Sequence, residues 1–450
     1  FPGIGWRALW LVCNVLRFPG GASARRHIRV SQTIAFSLDH CASRRGGQDP
    51  VVSRTGPILA ALGQLVRDSI HGGTLKAIAL LSRLLFFVLV IPVLLAGELT
   101  VYIYINSIAL IIAIVAIVGM NDELPRIISG DAGKARGYFR SSIVLNIVVM
   151  LLLLAMFVWP SVPLGIALFG VATIASRFLG GIVRSVDPAV YERLQNLPWV
   201  LFIVSAVVLR LDNAFDLLIA RAASTVLVTW YCLFALGRQT PDGAKTAPLP
   251  LPALFRRALS HGITKLLSNL SLLGISRAPV LLPVWLAMDA DLDPVAFAVA
   301  VGEIVVQFGL IPANRAYAAW CRQPPTKLRD WYHAITLSLL LAAALAGLSI
   351  VILLIANAVQ MLPEQAPGNA MLTQALVLYA LVSAFYSLRY LVWARGVLEY
   401  RIVLLSLGML AGCAVAILWV DIRIWFAACA GVAVIGFAAL AVSSRRYFTG

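Results

Sequence analysis

The sequence predicts an all-α membrane protein with about 12 transmembrane helices in two pseudo-symmetric six-helix bundles. Three observations carry that expectation. The chain of 450 residues is 61% apolar and only 12% charged, with a mean hydropathy of +0.90, whereas soluble domains are roughly half apolar and about a quarter charged. A larger core cannot absorb the excess, because a chain of this length still needs a polar skin in water, so a soluble enzyme is excluded. Apolar runs of about twenty residues recur along the chain, the length that crosses a bilayer core as helix. One linker-like segment, from Gly237 to Pro252, divides those runs six and six.

Taken in order, residues 1–55 are rich in Arg and Gly (Arg25-Arg26, Arg44-Arg45-Gly46-Gly47) and lack periodicity. They read as a disordered or artefactual N-terminal extension. Residues 56–74 place Leu59, Leu62, Leu65, Val66 and Ile70 on one face, as an amphipathic helix lying on a membrane surface does. The N-terminal bundle, 75–236, holds spans at Leu75–Ala96, Thr100–Met120, Ser141–Trp159, Val162–Val183, Leu194–Leu211 and Ala214–Leu236. A cytoplasmic linker, 237–252, leads to the C-terminal bundle, 253–450. Its spans fall at Leu266–Met288, Pro294–Pro312, Ile335–Val359, Leu372–Trp393, Ile402–Val420 and Ile424–Val442.

Charge sets the orientation. With the first span starting in the cytoplasm, 20 Lys and Arg besides Lys265 lie in or beside the loops on that side and at the C-terminus, Arg184 and Arg389 among them, and only Arg210 and Arg423 lie at the opposite side. Basic residues collect on the cytoplasmic side, so both termini are expected there. The net charge of +16 is therefore assigned to loops, with no nucleic-acid partner, since no basic domain stands apart from the spans. The acids Asp289, Asp291 and Asp293 read as a solvated turn, and Trp159, Trp285, Trp419 and Trp425 as interfacial anchors. The six cysteines show no CxxC pair or His at ligand spacing, which supports neither a disulfide framework nor a metal site. No nucleophile triad or phosphate-binding glycine loop is present, and no cofactor is expected.

A repeat links the halves. Asn121, Lys134, Arg136 and Tyr138 stand 193 residues before Asn314, Lys327, Arg329 and Trp331, and Ser82-Arg83 stands 194 before Ser276-Arg277. Transporters built from such repeats place substrate between the halves near the bilayer midplane. Ionisable groups inside spans are costly and functional by default. Arg83, Arg221, Lys265 and Arg277 are the substrate-binding candidates, and Glu303 is the coupling carboxylate or ion-pair partner. Snorkelling to a headgroup is the competing account for Lys265 and Arg221, and a structural ion pair is that for Arg277 and Glu303. A lumen with several arginines and few acids suits an anion such as a diphosphate. Pro279 and Pro283 are expected to bend the seventh span.

Ala96-Gly97-Glu98, the stretch from Val118 to Asp131 (Val-Gly-Met-Asn-Asp-Glu-Leu-Pro-Arg-Ile-Ile-Ser-Gly-Asp), Ile182-Val183-Arg184-Ser185-Val186 and Gly274-Ile275-Ser276-Arg277-Ala278-Pro279 resemble segments of Wzx-type polysaccharide flippases. These belong to the multidrug, oligosaccharidyl-lipid and polysaccharide exporter superfamily. The resemblance spans roughly residues 60–448 and implies a non-enzyme of the bacterial cytoplasmic (inner) membrane. It implies alternating access to a cationic cavity for a polyprenyl-diphosphate-linked oligosaccharide, with the lipid bilayer as partner and polysaccharide polymerase and glycosyltransferases as associates. Arg83 and Arg277 are the matches to cavity arginines, and Glu303 departs from the pattern. The alternatives are a cation-coupled multidrug or small-molecule antiporter of the same superfamily and a membrane-embedded glycosyltransferase or polymerase. For the last, the outer loops are too short.

Two measurements check this reading. A cysteine at Gly368 should react with an impermeant thiol reagent from outside the cell, and one at Gly243 only after permeabilisation; the reverse at either position removes the topology. Chains starting near Val51 or Ile58 should complement as well as the longer form.

Overall fold

A chain in lipid must satisfy its backbone hydrogen bonds internally, and helices do so within one segment. The computed structural model describes residues 82–448, apart from 84, 119, 129–134, 136, 140, 149–150, 152–161, 240–249, 251, 254–255, 257–259, 261, 289–290, 323–327, 359–365 and 397–398. The expectations for 1–55 and 56–74, and most of that for the linker, lie outside the described residues. No strand occurs among the described residues.

After a helical segment from Ser82, the chain runs through a π turn (Phe86–Val90) and a 3-10 turn (Ile91–Val93). Pro92 lies in that tight turn, and a proline there removes a donor and crowds the carbonyl four residues back. Eleven helices follow: α1 (Glu98–Ile117), α2 (Met120–Ile128), α3 (Val162–Val186), α4 (Pro188–Leu209), α5 (Ala214–Gln239), α6 (Ile263–Trp285), α7 (Asp293–Arg322), α8 (Leu328–Ala358), α9 (Asn369–Arg395), α10 (Glu399–Trp419) and α11 (Trp425–Arg445). Residues 141–148 are also helical. Nine helices among the described residues are long and apolar enough to cross a membrane, and α7 covers the eighth expected span in a single helix of 30 residues. The protein is a multi-pass, all-α membrane protein.

Short polar turns set the helix ends. Asn213 Oδ1 accepts from the Asp216 amide at 2.9 Å, and Asp187 Oδ1 from the Val190 amide at 3.1 Å; such side chains fill donors that a helix start leaves open. Gly396, at φ 72°, closes α9 in the left-handed conformation that glycine adopts without strain. Large apolar side chains face outward, such as Leu354, Val415, Ile435 and Val442, as a lipid-facing surface requires.

The halves repeat one pairing scheme. In the first, α1 packs on α3, α3 on α5 and α4 on α5; in the second, α7 packs on α9, α9 on α11 and α10 on α11. The first-span segment packs on α4 as α6 packs on α10. Contacts between halves run from α1 to α6 and α7, and from α2 and α3 to α7. Small residues permit the closest approaches, as at helix interfaces in membranes generally. A Cβ at Gly302 would meet the Tyr379 ring, and one at Gly309 the Ser383 side chain, so α7 and α9 lie against each other along two turns.

Several expectations are corrected. Asp293 is buried and accepts from the Gly97 amide at 2.8 Å, the Thr100 amide at 3.1 Å and the Thr100 hydroxyl at 2.6 Å. It is no solvated turn: it caps α1 from the other half, because Gly97 at φ 82° turns its amide toward the carboxylate. Trp425 is buried and donates to the Val420 carbonyl at 2.9 Å, while Trp285 and Trp419 are exposed as expected. Trp159 lies outside the described residues. The fifth span begins earlier than expected, since α4 continues through Pro198. Arg184 and Arg389, counted with the loop bases by the charge rule, are buried within α3 and α9.

Replacing Gly302 with Val should destabilise the protein by about 1–3 kcal/mol, the usual cost of overpacking. Thermal unfolding in detergent checks this, and an unchanged midpoint would contradict the close α7–α9 approach.

Candidate functional site

A narrow cleft lies between the halves, lined by Arg83, Tyr102, Asn106, Trp199, Glu303 and Gln307 with neighbouring apolar side chains. Each half contributes. Arg83 comes from the first-span segment, Tyr102 and Asn106 from α1, Trp199 from α4, and Glu303 and Gln307 from α7. The Phe87 and Phe297 rings meet across the halves beside the cleft, 5.0 Å apart and edge to face, a favourable aromatic arrangement.

Of the four sequence-derived binding candidates Arg83 lines this cleft, while Arg221 and Arg277 stand behind its wall, against Trp199 and Glu303 respectively. The Arg83 guanidinium lies 5.3 Å from the Trp199 ring centroid and that of Arg221 lies 3.4 Å from the same ring. Arg221 also interacts with the Tyr102 hydroxyl and is close enough to Arg83 and Arg277 to act on both electrostatically. Tyr102 lies near both Arg221 and Arg277 and lines the cleft together with Arg83. Its ring stacks on Phe202, 6.2 Å away at 8°.

Arg277, fully buried in α6, forms an ion pair with Glu303 of α7. The next element along secures it: the Tyr379 hydroxyl of α9 donates to the Ser276 carbonyl. Arg277 keeps Nε and Nη1, and Arg221 keeps Nη1, without a hydrogen-bond partner among the described residues. Buried guanidinium donors left open are costly, and they are the groups that would receive an anion. The α6 helix stays continuous through Pro279 and Pro283.

The fourth candidate is elsewhere. Lys265 is buried at the end of the molecule that carries the basic loops and is paired with Glu123 of α2. It neither snorkels nor lines the cleft. Sequence reading missed Tyr102 and Trp199, because an aromatic in an apolar span gives no signal that separates it from packing. Asn106 was the readable clue, a polar side chain one turn from Tyr102 and buried.

No family model matches the chain, and no curated relative does. Solved structures share its fold. One described as MATE in complex with MaL6 superposes with a TM-score of 0.54 at 13% identity, covering 85% of this chain and 96% of its own. An outward-facing multidrug resistance MATE family transporter of the MOP superfamily gives 0.51 at 12% identity over 84% and 92%. A structure described as protein A gives 0.56 at 15% identity over 90% and 99%. The fold is thus that of MOP-superfamily structures, over nearly their whole length.

The shared ring can be tested by stability. Trp199→Phe keeps an aromatic face toward Arg83 and Arg221, and Trp199→Leu does not. The Leu variant should be less stable than the Phe variant by about 1 kcal/mol or more, given ~0.5–2 kcal/mol for a cation–π contact. Equal midpoints would show that the ring acts only by volume.

Proposed function

We propose that this protein is a transporter that moves a polyprenyl-diphosphate-linked oligosaccharide from the inner to the outer leaflet of the bacterial cytoplasmic membrane by alternating access. The observation that carries the reading is the grouping of Arg83 on the cleft wall, Arg221 over the same Trp199 ring, and Arg277 paired with Glu303 of that wall. With Glu303 as the acid paired there, these four groups sum to two positive charges. A diphosphate diester carries two negative charges, and guanidinium forks bind phosphoryl oxygens in a bidentate manner. The lipid tail stays in the bilayer while the headgroup crosses. On this reading the basic loops face the cytoplasm, and enzymes that build and polymerise the sugar unit are the functional partners.

A second reading, a cation-coupled antiporter, draws on the fold shared with the multidrug MATE structures and on Glu303 as the coupling carboxylate. The net positive charge of the four groups opposes a cationic cargo.

Reconstituted vesicles with a fluorescent diphosphate lipid distinguish the two. Arg83→Gln or Arg277→Gln should lose about 2–4 kcal/mol of headgroup interaction, roughly 30- to 1,000-fold in affinity. Lys at either position should restore little, since a point charge lacks the planar fork. The swap of Arg277→Glu with Glu303→Arg should fold and remain inactive; restored transport would make the pair structural. Export of a cationic dye that needs Glu303 but neither arginine would establish the second reading.

A further inference from the structure

At the basic end, α2 carries two adjacent acids, Asp122 and Glu123, both buried. Asp122 accepts from Arg184 at 3.2 Å and from Asn269 at 2.9 Å, and its carbonyl accepts from the Tyr317 hydroxyl at 3.1 Å. Glu123 is paired with Lys265, and Arg126 lies 3.7 Å from it and 3.5 Å from Glu399. Lys265 and Asn269 belong to the opposite half, so the two carboxylates of α2 sit in a nest of donors drawn from both halves.

Beside this nest lies a fully buried cation with no carboxylate of its own among the described residues. Arg389 donates from Nη1 to Ser268 at 3.0 Å, and Ser268 shares a 3.0 Å hydrogen bond with Ser406. Its Nε and Nη2 have no hydrogen-bond partner among the described residues. The charge rests instead on the rings of Trp393 at 4.1 Å, Tyr386 at 4.3 Å and Tyr390 at 5.3 Å. Arg184 lies over that same Tyr390 ring at 5.0 Å, which joins Arg389 to the Asp122 cluster. Ser268 is one turn from Lys265 and adjacent to Asn269 along α6. A buried guanidinium with two open donors, next to two occupied basic groups, has the make-up of an anion site that is partly filled.

We propose that Lys265, Ser268, Asn269, Arg184 and Arg389 form a second anion site, for a diphosphate group, which the carboxylates of Asp122 and Glu123 occupy while the halves are closed at this end. Two adjacent carboxylates supply the same two negative charges as a diphosphate diester. The helix before α2 ends at Val118 with φ 47°, a left-handed conformation that a β-branched residue adopts only under strain. Arriving diphosphate and departing α2 are then coupled, because both compete for one set of donors. That the natural ligand is a lipid-linked diphosphate rests on the function proposed above; the anion site itself rests on these residues.

The test uses the full chain in lipid nanodiscs and titrates inorganic diphosphate. Asp122→Asn with Glu123→Gln should bind it at least tenfold more tightly than the unaltered protein, and adding Lys265→Gln or Arg389→Gln should abolish the gain. If the double variant does not fold, either single variant carries the test, with an expected gain of about threefold. Adding Arg277→Gln should leave the gain intact. The cleft reading therefore fails on transport while this one fails on binding. Tighter competition by farnesyl diphosphate than by the inorganic anion assigns a lipid headgroup as the ligand, and the reverse assigns the free anion. No gain in any variant, or a gain that survives both Lys265→Gln and Arg389→Gln, overturns the proposal.

Discussion

The ion pair between Arg277 and Glu303 joins α6 to α7 and holds Glu303 on the wall of the cleft between the halves. A single charge at this depth costs about 2.5–3.5 kcal/mol on insertion scales and more in other treatments. Three arginines in and behind the wall of one cleft therefore need something that offsets both desolvation and their mutual repulsion. Glu303 does so for Arg277, and the Trp199 ring, shared by Arg83 and Arg221, does so for the others. Removing one partner of a buried pair leaves an uncompensated charge, which is why such pairs are strongly destabilising to break even when forming them gains little.

Around this centre the halves touch at both ends, by different chemistry. At the acidic end one carboxylate, Asp293, caps α1 through three hydrogen bonds. At the basic end the contact is a network of ion pairs and amide bonds centred on α2. The first depends on one side chain and local helix geometry. The second involves five elements and several charges, and on the proposal above it opens when those charges find other partners. This asymmetry fits a protein whose two ends respond to different events.

Much of the fold was legible in the sequence because lipid makes the apolar run itself the signal. Ten of the twelve expected spans fall on the long helices α1 and α3–α11. The 193–194 residue offset placed Arg83 and Arg277 at equivalent positions, and the structure puts Arg83 on the cleft wall and Arg277 behind it, paired with Glu303 of that wall. What pattern could not supply was direction and partner. Lys265 reads like Arg277 in sequence, since each is a lone cation in an apolar helix, yet the first faces α2 and the second faces α7. Arg389 was counted with the loop bases because the charge rule for orientation counts bases near span ends without asking which way they point. Asp293 was lost for the opposite reason: three acids in a short turn look solvated, and only the positive φ at Gly97 aims an amide at one of them.

The function proposed above requires three guanidinium groups from both halves to meet one diphosphate. A density map of the protein in nanodiscs with bound farnesyl diphosphate tests this most directly. It should show the headgroup beside Tyr102, within hydrogen-bonding distance of Arg83, Arg221 and Arg277. A headgroup bound elsewhere, with all three arginines facing lipid or remote from one another, would contradict it.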